Sequence, residues 1–352
     1  MKKLHDTHPL RIFWFSSIVT ILLGVFVFSR LGSVGMWLFA ILVVLEVTFS
    51  FDNAVINSKV LATMSRFWQL LFLTVGIFIA VFVVRFLLPI VVVMVAAGLD
   101  FQTVLDLALN DPAAYGKTLK ESAPMIDAFG GAFLIMIGIS YFMDRHKDIH
   151  WLGAIERRLA RAGKFQNLKA LVMLSVAMLL YATVDDAYRV TVLVASILGV
   201  MLHMGLELFS EAYEDQQNRV KHRVGMAAFA AFLYLEVLDA SFSFDGVIGA
   251  FAITDNIVLI ITGLAAGAVW VRSLTIYLLR TGTLAKYRYL EHGAHWAILA
   301  LGSVMFIKLY HVELPEWMIG SIGIVFIATA VISSILEKRA ALNRDDASYR
   351  GW

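Results

Sequence analysis

Residues 45–53 read LEVTFSFDN, and residues 238–246 read LDASFSFDG. Laid over one another, Glu46 falls on Asp239, Ser50 on Ser243, Asp52 on Asp245 and Asn53 on Gly246. Each phrase lies inside a long apolar run. The next apolar run in each half carries an embedded arginine, Arg85 in VVRFLLPI and Arg272 in VWVRSLTIYLL. A phrase that recurs with its neighbourhood is an internal repeat, and it decides the architecture. It also decides where chemistry is to be sought. An ionised carboxylate in hydrocarbon costs at least about 2.5–3.5 kcal/mol. Glu46, Asp52, Asp239 and Asp245, with Glu236 one turn before Asp239, therefore need a counter-charge, a proton or a bound cation.

The surroundings of the two phrases identify their solvent. Of 352 residues, 60% are hydrophobic and 16% charged, and apolar runs of membrane-crossing length recur along the chain. The sequence predicts an all-α polytopic membrane protein with about ten spans, near 12–30, 34–62, 68–97, 122–143, 170–184, 188–209, 226–253, 257–279, 291–309 and 317–336. The run behind Lys2 and Lys3 is long for a signal peptide and has no clear cleavage site, so it is read as a helix. A net charge of +2 gives no basis for nucleic-acid binding. The absence of cysteine excludes disulfides, thiolate catalysis and Cys-ligated metals.

Lysine and arginine set the orientation. Segment 144–169 is rich in both and is expected in the cytoplasm, as are 210–225, 280–290 and the C-terminal tail. Segments 98–121 and 310–316 are poor in positive charge and are expected outside. Both termini are then cytoplasmic, in the inner membrane of a prokaryote. Span 34–62 runs outward to inward and span 226–253 inward to outward, so the repeats of three helices are inverted. Inverted repeats with a midplane site on interrupted helices are the architecture of many secondary transporters. The expected organisation is an N-terminal helix (1–33), a first repeat (34–143), a basic segment with two extra spans (144–225), a second repeat (226–309) and a last helix with its tail (310–352).

From Glu46, the positions at i+4, i+7 and i+11 are Ser50, Asn53 and Asn57, an oxygen-bearing stripe on one helix face. Asp52 lies off that face. Bringing Glu46 and Asp52 together would need the SFDN stretch to unwind, and Gly246 and Gly249 make such a break cheap in the second copy. Carboxylate, amide, hydroxyl and carbonyl oxygens suit Mn²⁺, Mg²⁺ or Ca²⁺ rather than copper. Arg85 and Arg272 are read as charge partners. Ser50, Asn57, Ser243, Glu236 and Gly246 form a supporting shell.

These phrases resemble the TerC family of integral membrane proteins, within a wider superfamily of LysE-type exporters. The similarity is carried by DASFSFDGVIGAFAIT at 239–254, EVTFSFDN at 46–53, the two arginines, FGGAFLIMIG at 129–138 and VMFIKLYHVELPEWM at 304–318. It implies export of a divalent cation, manganese first. The implied metal site is Glu46, Asp52, Asn53, Asp239 and Asp245, with the ion as substrate, no permanently bound cofactor and a proton as the potential counter-ion. Residues 144–225 and Gly246 depart from the family's usual pattern.

Two other readings stay open: a non-transporting scaffold or sensor of a metal or tellurium stress-resistance complex, and an exporter of a small amino acid or oxyanion. The second would be favoured if Arg85 and Arg272 faced a cavity. No nucleotide-binding loop, HExxH or GxSxG is present, so no enzyme is expected. Away from the two phrases, Asp185 and Asp186 are expected in a turn, His203 as a packing histidine, and His292 and His295 at the membrane interface.

Overall fold

Apolar sequence in lipid must satisfy its backbone internally, which leaves helices or a closed barrel. The computed structural model describes residues 8–349 apart from 146, 166, 215–224, 255 and 313, and among these there is no strand. The first helix, α1 (Pro9–Phe49), contains a reversal at Gly32, where φ is 65° and ψ −158°. A Cβ built on Gly24 would lie 3.2 Å from Met36 and 3.6 Å from Phe39. In a straight helix, residues fifteen apart are separated by about 22 Å. The chain therefore doubles back, and the two legs are the expected spans 12–30 and 34 onward.

The second leg stops at Ser50, and α2 (Phe51–Ala62) continues it. Next come α3 (Arg66–Phe78), a π-helical stretch (Ile79–Leu87) and α4 (Leu88–Ala97). The wider winding sits immediately before Pro89, whose ring would clash with the carbonyl of residue 85 in a regular helix. Segment 98–121, expected only as a loop, forms α5 (Phe101–Asn110) and α6 (Pro112–Glu121). Asp100 accepts from Thr103 N–H and Asp111 from Ala114 N–H, capping both helices, and Val104, Ala108, Tyr115 and Leu119 bury an apolar face.

The rest is α7 (Ala123–Phe142), α8 (Gly153–Ala162), α9 (Leu168–Thr183), α10 (Arg189–Glu214), α11 (Gly225–Ile253), α12 (Ile257–Thr281), α13 (Thr283–Lys286), α14 (Leu290–Lys308) and α15 (Glu316–Tyr349). Among the described residues seven helical stretches are long and apolar enough to cross a membrane, the doubled α1 and the run from Arg66 to Val95 among them, and α9 is a shorter apolar helix. Large apolar side chains such as Ile21, Leu22, Trp37, Phe67 and Leu171 point outward. The molecule is an all-α polytopic membrane protein. One end of the bundle, the basic end, holds α8 and α13. The far end holds the α5–α6 hairpin, the turn at 184–188 and residues 309–312.

The repeats meet as a pseudo-two-fold pair. A Cβ on Gly246 would approach Glu46 Oε2 at 3.1 Å, and Asn53 Nδ2 donates to Asp239 Oδ1 at 2.8 Å. Glu46 and Asp239 are equivalent in the two phrases, as are Asn53 and Gly246. Each end of one phrase therefore touches the opposite end of the other, and the segments run antiparallel. Ser50 and Ser243 lie near the middle. The same relation recurs between α7 and α14, where a Cβ on Gly131 would meet Gly302 O at 3.1 Å and one on Gly302 would meet Gly131 O at 3.0 Å. Lacking side chains, these glycines let the two helices approach closely, as small residues do between membrane helices.

Candidate functional site

Glu46 is wholly buried at the end of the second leg of α1, and Gly267 of α12 makes room for it, since a Cβ there would lie 2.5 Å from Glu46 Cβ. Ser50 Oγ donates to Glu46 Oε1 at 3.0 Å. Arg85, on the π-helical stretch, forms an ion pair with Glu46, donates to Ala80 O at 2.6 Å and lies 3.8 Å from Asp239 Oδ2. Arg272 makes the matching contacts in the second repeat. Its Nη2 is 3.3 Å from Asp239 Oδ2, 3.4 Å from Glu236 and 3.4 Å from Gly76 O. Its guanidinium lies 3.7 Å from the centre of the Phe72 ring, a cation–π contact.

A continuous network results, Glu46–Arg85–Asp239–Arg272–Glu236, with Asn53 attached at Asp239. Three carboxylates face two guanidiniums, leaving one net negative charge if all are ionised. In low dielectric such pairs hold because each charge is compensated at close range. Compensation is incomplete. Glu46 Oε2, Asn53 Oδ1, Asn57 Oδ1, Asn57 Nδ2 and Ser243 Oγ are buried without a hydrogen-bond partner in the protein. Buried polar atoms in this condition are uncommon and call for an explanation. Glu46 Oε2, Asn53 Oδ1 and Ser243 Oγ belong to the two phrases that cross, and Arg85 Nε and Arg272 Nη1 are buried without a partner as well.

The structure thus brings together Glu46, Ser50, Asn53, Glu236, Asp239, Arg85 and Arg272. It places Ser243 and Asn57, both buried, on the same elements, and Gly246 against Glu46. It corrects two expectations. Asp52 does not join Glu46: it is buried against α15, with its Cγ 3.3 Å from a Cβ built on Gly323, and accepts from Asn53 N–H at 3.0 Å. The SFDN stretch is interrupted only at Ser50, while α11 stays helical through Gly246 and Gly249. Antiparallel pairing satisfies the phrases without unwinding, so α11 offers no free carbonyls. His292 and His295 stand in the first turns of α14, at the basic end of the bundle, and are 3% and 5% exposed. Asp245 lies on α11, but its side chain falls outside the described residues. Among the described residues no three acidic or histidine side chains form a ready metal shell, because the guanidiniums stand between the carboxylates.

Other expectations agree with the structure. Ser140 and His203 Nε2 are 2.9 Å apart, and residues 184–188 turn between α9 and α10. Sequence reading missed the glycines that admit the charged groups: a Cβ on Gly76 would lie 2.6 Å from Glu236 Oε1. It also missed a second buried charge. Glu156 of α8 accepts from Trp151 N–H at 2.9 Å and Trp296 Nε1–H at 3.0 Å, and lies 3.4 Å from His292 and 3.8 Å from Lys147. Burial pushes the Lys147 ammonium down to about 8.

Residues 51–341 match the family described as "Protein of unknown function (DUF475)". The chain belongs to the DUF475 family. The DUF475 match takes in Asp52, Arg85, Asp239 and Arg272 and begins just after Glu46. An uncharacterized membrane protein of Rickettsia prowazekii (strain Madrid E) is 26% identical over 110 residues, 31% of this chain and 36% of that protein. The aligned stretch thus spans about a third of the length of that curated relative. No solved structure matches the chain.

Proposed function

We propose that this DUF475 protein is a secondary transporter that exports a divalent cation, manganese before calcium or magnesium, by alternating access around the crossing of its two repeats. The observation that carries the reading is the two-fold-related network of Glu46, Asp239 and Glu236 with unpartnered oxygens beside it, buried in a membrane bundle. Carboxylate, amide and hydroxyl oxygens are the donors a hard divalent cation takes. Arg85 and Arg272 hold the acids when no cargo is bound, and the arriving ion displaces a guanidinium from Glu46 or Asp239. Protons or the ion gradient supply the drive, and an acid that trades metal for proton couples the two. The basic end faces the cytoplasm of a prokaryote, by the charge rule. The resemblance of both phrases to the TerC family points the same way.

A second reading keeps the fold and changes the cargo. Arg272 lines a cavity of about 160 Å³ and Arg85 one of about 20 Å³. A small zwitterion could bind its carboxylate to a guanidinium and its ammonium to a carboxylate. Binding separates the two readings. Titration of the purified protein with MnCl₂ should raise its melting temperature, since a ligand at a hundredfold its Kd stabilises by about 2.7 kcal/mol. The shift should vanish in Glu46→Gln and Asp239→Asn, whereas lysine and glycine should give none. A shift with the amino acids and none with manganese would replace the first reading by the second.

A further inference from the structure

Two cavities lie between the charged network and the far end of the bundle, and one ring lines both. At that end a cavity of about 550 Å³ opens between α6, α7 and residues 308–311, lined by Gly116, Lys117, Asp127, Tyr188 and Phe251 among others. A separate pocket of about 20 Å³, room for a single water, is lined by Arg85, Pro89, Tyr115, Val247, Phe251 and Ile260. Phe251 borders both. Val247 follows directly on Gly246, which touches Glu46, so the small pocket reaches the edge of the charged network.

Phe251 is held in that position. It is 6% exposed, its ring centre is 5.8 Å from that of Tyr115, and a Cβ on Gly116 would lie 2.9 Å from its Cδ1. The contacts from α6 therefore come from two consecutive residues: Tyr115 faces the inner pocket and Gly116 the outer cavity. α5 follows α4 through Gly98, whose φ of 66° is the left-handed conformation glycine adopts without strain. The α5–α6 hairpin meets the bundle through apolar side chains, Val104, Ala108, Tyr115 and Leu119 among them.

We propose that Phe251 and Tyr115 form the far-end gate on the path between the outer cavity and Arg85, and that displacing the α5–α6 hairpin opens it. The structure is the state with this gate shut. The inference rests on the reading of the network as a transport site, but its test does not require the cargo to be known.

The chain has no cysteine, so a single introduced thiol reports access without background. Val247→Cys places that thiol in the inner pocket. A membrane-impermeant thiol reagent applied to the far face should label it slowly, and at least tenfold faster when Phe251→Ala is added. Ile260→Ala, at another wall of the same pocket, should leave the rate unchanged. Should Phe251→Ala elute as aggregate, Phe251→Leu is read in its place, with a smaller acceleration expected. Equal rates with and without the Phe251 change, or equal acceleration by Ile260→Ala, would overturn the gate. Because labelling is independent of transport, that outcome would leave the network reading standing, and a failure to move manganese would leave the labelling result intact.

Discussion

Arg85 shows how one residue can be both a structural tie and a functional part. It neutralises Glu46 in its own repeat and leans on Asp239 of the other, while Arg272 pairs with Asp239 and Glu236 of its own repeat and reaches the other only at Gly76 O. Arg85→Met should leave two buried carboxylates under-compensated and destabilise the protein by about 3–5 kcal/mol, seen as a fall in melting temperature in detergent. Arg85→Lys, which keeps the charge without the planar fork, should recover part of that loss. Gly267 makes a different kind of claim, about space. Its Cβ would have to lie 2.5 Å from Glu46 Cβ. Gly267→Ala should cost about 1–3 kcal/mol by overpacking and should disturb manganese binding, because it displaces Glu46 itself. Gly263→Ala, which meets only the side chain of Leu42, should disturb stability and spare binding.

Among the elements, α8 is the one whose placement depends most on a single group. Its sequence is basic, yet Glu156 faces inward and is held by Trp151, Trp296 and His292. Glu156→Ala removes that anchor and should free residues 144–169 to proteolysis, with a loss of about 3 kcal/mol where the bundle is still folded. The neighbouring Lys147 gives a pH signature. Its ammonium titrates near 8 when folded and near its ordinary 10.5 when unfolded, so between those values the unfolded chain binds more protons. Stability should therefore rise from pH 8 toward 10.5. Melting curves at pH 7.5 and 9.5 should show the gain in wild type, and Lys147→Met should lose it.

The elements also show what the sequence could reveal. The expected spans fall on helical stretches, 34–62 being interrupted at Ser50 and 68–97 divided among α3, the π-helical stretch and α4, because apolar length is a one-dimensional signal. The two arginines and their acids were legible as well, since an ionisable residue in an apolar run needs a reason. The α5–α6 hairpin was hidden: its amphipathic faces are short, and their burial depends on Phe251, far away in the chain. The continuity of α11 was hidden too. Gly246 reads as a break in isolation, but in the bundle it is the contact surface for Glu46.

For the molecule as a whole, the repeated phrase turns out to be a symmetry element. Glu46 meets Gly246 and Asn53 meets Asp239, an exchange that only an antiparallel, two-fold-related pair can make. Gly131 and Gly302 bring α7 and α14, the third helices of the two halves, into close approach as well. Duplication supplies two similar halves that can rock about their common crossing, and the charges are concentrated at that crossing. In the proposed mechanism, with the acids shared between halves, a change of facing requires the arginine pairs to be remade as the cation crosses the bilayer. The direct measurement is manganese uptake into inside-out vesicles carrying wild type, Glu46→Gln or Asp239→Asn, each checked for folding by monodisperse elution. Uptake above empty vesicles in wild type, lost in both variants, is the expected result. Well-folded wild type that moves no more manganese than empty vesicles would contradict the account.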